Sequence, residues 1–174
     1  MPGRLVLTIG HSTRTLEELI ELLRHHEVEL LIDVRTVPAS RRMPHFMKAS
    51  LERSLPDHGI AYMHMPELGG LRKPKPDSIN SGWRNVGFRG YADYMQTPAF
   101  DEALDTLIQM SGAKRVAIMC AEAVPWRCHR SLIADALVIR GIRVVHILSV
   151  TSRLPHERTR SARIEGLRIT YPAA

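Results

Sequence analysis

The chain has 174 residues, 44% of them hydrophobic and 24% charged, which suits one folded domain with a real core and excludes a disordered chain. Its 24 Lys and Arg outnumber 18 Asp and Glu, a formal charge of +6 that favours an anionic partner: nucleic acid, a phosphorylated metabolite or phosphate itself. No apolar run reaches the ~18 residues that span a bilayer, and two cysteines cannot staple a disulfide scaffold, so no membrane partner is expected.

The opening MPGRLVLTIGHSTR has no small-residue cleavage site after its short apolar stretch. No signal peptide is read there, and a cytoplasmic protein with reduced thiols is the expectation. Residues 4–10 predict a first strand ending at Gly10. Thr15 with Glu18 makes a capping box for a helix whose apolar face is Leu16, Leu19, Ile20, Leu22 and Leu23. Residues 28–35, VELLIDVR, are apolar without alternation, the pattern of a strand buried on both faces. MKASLERSLPDHG predicts a short helix stopped by Pro56 and Gly59, and IAYMHM a third strand.

Residues 66–90 are rich in Gly, Pro, Asn and Ser and carry Trp83. A loop of that length is usually functional or poorly ordered. YADYMQT predicts a short helix, and PAFDEALDTLIQMSG a long one between Pro98 and Gly112. KRVAIMC is the fourth strand, RSLIADALVIRG the last strong helix, ended by Gly141, and IRVVHIL the fifth strand. Strands alternating with helices predict an α/β fold: three layers, with a mainly parallel five-stranded sheet and helices on both faces. Residues 1–150 are read as a single α/β domain and residues 151–174 as a basic C-terminal extension.

Ligands of such sheets bind off the carboxyl ends of the strands. Those ends carry His11 and Ser12 after the first strand, Asp33 and Arg35 after the second, and His64 after the third. The fourth runs into CAEAVPWRCHRS, residues 120–131, with Cys120, Glu122, Arg127, Cys128, His129 and Arg130. Each has a plain structural alternative. His11 could cap a turn or act as a general acid or phosphate contact. Asp33 and Arg35 could form a structural ion pair, or Asp33 could orient Arg35 toward an anion. His64 could be a satisfied core histidine. Trp83 could cover a ligand or anchor its loop.

Cys120 follows a buried strand and precedes a helix start, where free amides and the Arg127 and Arg130 charges would attract anions and lower its pKa. It could be a nucleophile, with Glu122 or His129 moving protons, or a core filler. Cys128 could form a disulfide with Cys120 or cap the helix. A metal held by Cys120, Cys128 and His129 with His11 or His64 is disfavoured, because the Cys-x-x-Cys spacing of structural zinc sites is missing. The sequence leaves cofactor and oligomeric state open.

TIGHST, LIDVRTVPASR, HMPELGGLR, GFRGYADYM and MCAEAVPWRCHRSLIADAL together resemble the bacterial and archaeal family called domain of unknown function 488, over about residues 5–148. The resemblance implies a site built from these blocks, including Cys120, Glu122, Pro125, Cys128, His129 and Arg130; it implies no reaction. A weaker architectural likeness is to rhodanese-type sulfurtransferases and cysteine phosphatases. The phosphatase pattern needs Arg six positions after the cysteine, and Trp126 stands there. The expectation is a strand-end anion-binding site serving a cysteine-dependent enzyme on a phosphorylated or otherwise anionic substrate. The alternatives are a nucleic-acid binding or processing module, drawing on Arg-rich segments 35–42 and 153–168, and a non-catalytic metal or ligand sensor.

Overall fold

The computed structural model describes residues 4–39 and 41–173. The first three residues of the opening stretch, Ser40 in the expected Arg-rich segment, and Ala174 lie outside them. In chain order the elements are β1 (Leu5–Gly10), α1 (Leu16–His25), β2 (Leu30–Asp33), α2 (Lys48–Ser54), β3 (Ala61–His64), α3 (Val86–Tyr94), α4 (Pro98–Ala113), β4 (Val116–Cys120), α5 (Arg130–Val138), β5 (Arg143–Ile147), β6 (Arg153–Pro155), β7 (Arg163–Glu165) and β8 (Arg168–Thr170). No helix among the described residues is long and apolar enough to cross a membrane.

The sheet has six strands, ordered β3-β2-β4-β1-β5-β6, rather than the expected five. The first five are parallel. The sixth, Arg153-Leu154-Pro155, pairs antiparallel with β5. It has no apolar run to announce it, since it is exposed throughout, and an edge strand tolerates proline. A separate hairpin joins β7 to β8.

Alternate residues of the parallel strands divide between two apolar clusters, which is why these strands read as unbroken apolar runs. Leu7, Ile9, Leu31, Ala117, Met119, Val145 and Ile147 pack with Leu19, Leu22 and Leu23 of α1 and Leu51 of α2. Val6, Ile32, Val116, Ile118, Cys120 and Val144 pack with Tyr91 of α3, Phe100, Leu104 and Leu107 of α4, and Leu132, Ile133 and Leu137 of α5. The α1 capping box forms as read: Glu18 N donates to Thr15 Oγ1 at 3.1 Å and Thr15 N to Glu18 Oε1 at 2.8 Å.

Two helix limits differ from the sequence reading. Helix α3 starts at Val86, not Tyr91, because Asn85 caps it by accepting from Phe88 N at 3.1 Å; Gly87 and Gly90 had masked the pattern. Helix α4 runs through Gly112 to Ala113. The long loop before α3 is tied down by Asp93, which accepts from Lys75 N (2.8 Å), Ser78 Oγ (2.7 Å) and Asn80 Nδ2 (2.7 Å). Trp83 packs against Phe88 and Tyr171, so it anchors the loop to the core.

The C-terminal residues pack into the same core, with Ile169 and Tyr171 buried there. Asp135 on α5 holds them: it accepts from His156 Nε2 at 2.7 Å, Thr159 N at 3.0 Å and Tyr171 OH at 2.8 Å.

Candidate active site

Strand order decides where the loops part. The chain leaves β2 toward β3 through α2, on the α1 side of the sheet, and leaves β4 toward β5 through α5, on the opposite side. Strands β2 and β4 are neighbours, so their carboxyl ends must open a crevice between the two departing loops. A cleft of about 410 Å³ lies there. One wall is Arg35, Thr36 and Val37 after β2; another is Cys120, Ala121, Glu122, Arg127, Cys128 and His129 after β4; Gly70, Leu71, Asn85, Gly87 and Phe88 complete it. Larger hollows of up to about 690 Å³ flank α1 and α4, but neither contains a cysteine.

Close backbone packing sets the position of the cysteine loop. Gly10 pairs with Cys120 in register, His11 N donates to Cys120 O at 3.0 Å, and Ser12 N to Ala121 O at 2.9 Å. A Cβ on Gly10 would lie 1.5 Å from Glu122 O, so only glycine lets the loop approach. After a 3₁₀ turn at Pro125–Arg127 the loop enters α5. Several amides expected to face an anion are used internally: Arg127 N donates to Val124 O, Cys128 N to Pro125 O, and Arg130 N to Cys128 Sγ. Charge in the cleft therefore comes from side chains.

Arg130 is the unusual group. It is 0% exposed. Its Nη2 donates to Ala123 O at 3.2 Å, while Nε and Nη1 find no hydrogen-bond partner among the described residues. It also makes no ion pair with a carboxylate there. A buried guanidinium needs a counter-charge, and Cys120 is the acid it acts on. Burial pushes the Cys120 thiol up, but a hydrogen bond from Cys128 and the Arg130 charge outweigh burial and hold it below the ordinary value. Cys128 moves the other way, pushed well up by burial and by its bond to Cys120. The two thiols influence each other, and Cys120 is the more acidic of the pair.

His129 donates from Nε2 to Val34 O at 2.8 Å and turns Nδ1 to Cys128 Sγ at 3.4 Å. Burial, helped by the Arg130 charge, pushes it down to about 4, so it is a neutral ring with its proton on Nε2. Glu122 and Arg127 are exposed on the cleft wall.

The other strand-end residues form a separate, closed network. Arg35 Nε and Nη2 donate to the two oxygens of Asp33 at 2.8 and 2.6 Å, and Nη2 also donates to Phe46 O at 2.6 Å. Tyr62 OH donates to Asp33 Oδ2 at 2.6 Å. Arg35 Nη1 donates to His11 Nε2 at 3.3 Å, and His11 Nδ1 donates to Ser12 O at 2.8 Å. Burial lowers the His11 pKa, consistent with that neutral tautomer. His64 Nε2 donates to Arg35 O at 2.7 Å. The structure thus brings Arg35, Cys120, Glu122, Arg127, Cys128 and His129 together on the cleft. It sets Asp33 and His64 behind its β2 wall, ties His11 to Arg35, leaves Ser12 paired through its backbone with Ala121 of the cysteine loop, and buries Arg130.

Thr36, Val37, Asn85, Gly87 and Phe88 also line the cleft without having been singled out. Their only sequence signal was membership of the polar loop and of the segment after β2. On α5's side of the sheet His146, at the end of the fifth strand, belongs to a buried chain: Thr8 Oγ1 and His146 Nδ1 lie 2.5 Å apart, His146 Nε2 and His156 Nδ1 2.9 Å, and His156 reaches Asp135. Burial pushes His146 down to about 3. Among the described residues no three His, Cys, Asp or Glu side chains group to hold a metal ion.

A family model described as Domain of unknown function DUF488 matches residues 15–137. No curated protein and no solved structure matches the chain.

Proposed function

We propose, for a chain that belongs to the Domain of unknown function DUF488 family, that the crevice between β2 and β4 is a cysteine-dependent active site for a phosphorylated or otherwise anionic substrate. One observation carries this reading: Cys120, on the cleft wall, is the acid beside a fully buried Arg130 that has no carboxylate partner among the described residues. A cation placed there stabilises a thiolate before any substrate arrives, the state a sulfur nucleophile needs.

Arg127 supplies the exposed positive charge of the wall and makes no ion pair among the described residues, so it is the group to meet an anionic substituent. Arg35 contributes less, because its guanidinium is committed to Asp33 and Phe46 O. Glu122 is the solvent-facing proton carrier; His129, held neutral, orients Cys128. Trp126, six positions after Cys120, is 59% exposed, so this site uses no phosphatase-type arginine. Val37, Leu71 and Phe88 give the cleft an apolar side and favour a substrate with an apolar body. The cytoplasm, with its reduced thiols, is the compartment that suits such a site.

The test is site-resolved alkylation of the native protein by iodoacetamide. Cys120 should react with a midpoint below the ~8.5 of a free thiol, and ahead of Cys128. Labelling of Cys120 only after unfolding would end the proposal. A nucleic-acid module would instead use the exposed Arg153, Arg163 and Arg168 on β6–β8, and would show salt-dependent RNA or DNA binding that Cys120→Ser leaves intact.

A further inference from the structure

We propose that Cys120 and Cys128 form a dithiol–disulfide couple through which the protein reduces small hydroperoxides. The inference rests on the reading of Cys120 as the reactive sulfur of the cleft and extends it to a second activity.

Both cysteines are free, both line the same cleft, and each thiol shifts the other's ionisation. They are only 2% and 6% exposed. Sulfurs this enclosed are reached most readily by a small uncharged oxidant. The exposed Glu122 carboxylate on the wall does not repel a neutral hydroperoxide. Beneath them, Arg130 offers two guanidinium nitrogens without hydrogen-bond partners among the described residues. These can stabilise negative charge as it moves from sulfur to oxygen. Cys128 is held in place from both sides, by His129 Nδ1 and by Arg130 N, each 3.4 Å from its sulfur.

The chemistry balances without a metal or cofactor. The Cys120 thiolate attacks the outer oxygen of ROOH; an S–O bond forms, the O–O bond breaks, and RO⁻ leaves as ROH after taking a proton. Cys120 is now a sulfenic acid, oxidised by two electrons. The Cys128 sulfur then attacks Cys120 Sγ. The S–S bond forms, the S–O bond breaks, and the hydroxyl leaves as water with the Cys128 proton. An external dithiol restores both cysteines by exchange.

Trypsin offers a clean readout. Cleavage after Arg115, Arg127 and Arg130 puts the two cysteines in separate peptides, 116–127 and 128–130, which stay joined only through a disulfide. The reduced full chain is treated with stoichiometric hydrogen peroxide and mapped by mass spectrometry without reduction. The expected result is the linked pair, reversed by dithiothreitol. Cys128→Ser should instead carry Cys120 on to sulfinic acid. Cys120→Ser should oxidise at Cys128 more than about tenfold slower than wild type oxidises. Circular dichroism of both variants checks their fold, and the wild-type linkage stands whether or not a variant folds. If iodoacetamide labels native Cys120 ahead of Cys128 but peroxide yields only sulfinic or sulfonic Cys120, the couple is refuted while the thiolate site survives. If native Cys120 reacts with neither reagent, both readings fail.

Discussion

Replacing Arg130 by Met tests the electrostatic core of the site most directly. The guanidinium is fully buried and makes no carboxylate ion pair among the described residues, so little solvent or counter-charge screens its action on Cys120. An opposite charge within about 4–6 Å lowers an acid's pKa by about 1–3 units. Met matches the unbranched stem of the side chain as far as Nε and removes the charge, and burial of the sulfur, which opposes ionisation, then acts with less opposition. The alkylation midpoint of Cys120 should rise by about 1–3 pH units in Arg130→Met. The assay is the rate of iodoacetamide labelling of peptide 116–127 between pH 4.5 and 10, in protein shown folded by its thermal melt. The midpoint, not the absolute rate, is the readout, because burial slows both proteins. Wild type should titrate below the ~8.5 of a free thiol. A wild-type midpoint at or above that value, or a variant midpoint within half a unit of wild type, refutes the argument.

Gly10→Ala places a Cβ against the Glu122 carbonyl; it should destabilise the fold by about 1–3 kcal/mol in urea denaturation and shift the Cys120 labelling profile, whereas Gly141→Ala, which strains only a positive φ, should leave the profile unchanged. Asp33→Asn leaves the Arg35 guanidinium, 9% exposed, without its charge partner and should cost about 3–5 kcal/mol; a loss under 1 kcal/mol would show that the pair is replaceable. Stability should also fall with acid. His129 and His146 are held down to about 4 and about 3 in the fold, mainly by burial, so below pH ~6.5 the unfolded rings take protons that the folded rings refuse. Their contribution is intact above that pH and is lost as pH falls toward 4, at up to about 2.7 kcal/mol per pH unit for two protons. His146→Gln should remove up to about half of that slope; an unchanged slope would show that His146 does not carry it.

Much of the scaffold was legible in the chain. Unbroken apolar runs such as LLID and VAIMC mark strands buried on both faces, and the Thr15–Glu18 pair marks a helix start, because local pattern and local hydrogen bonding determine both. The same pattern placed Cys120 at a strand end. Strand β6 and the β7–β8 hairpin were not legible: they are short, mostly exposed and carry no periodic apolar signal, and they exist because an edge or a partner strand was there to pair with. The Asn85 cap of α3 was hidden by the glycines behind it.

The candidate site divides along the same line. Residue types and their placement at carboxyl ends follow from sequence alone, since alternation of strands and helices leaves little choice of sheet type. Which ends become neighbours does not follow, because it depends on strand order. Order β3-β2-β4-β1 set Arg35 facing the cysteine loop and turned His11, Asp33 and His64 into the support of the β2 wall. Burial was also beyond the sequence. One arginine of the CHR run lies 0% exposed beneath Cys120 while Arg127, three positions earlier, faces solvent. That difference comes from the turn at Pro125 and the start of α5, where a charge's surroundings, and so its effect on a neighbouring thiol, depend on the packing around it.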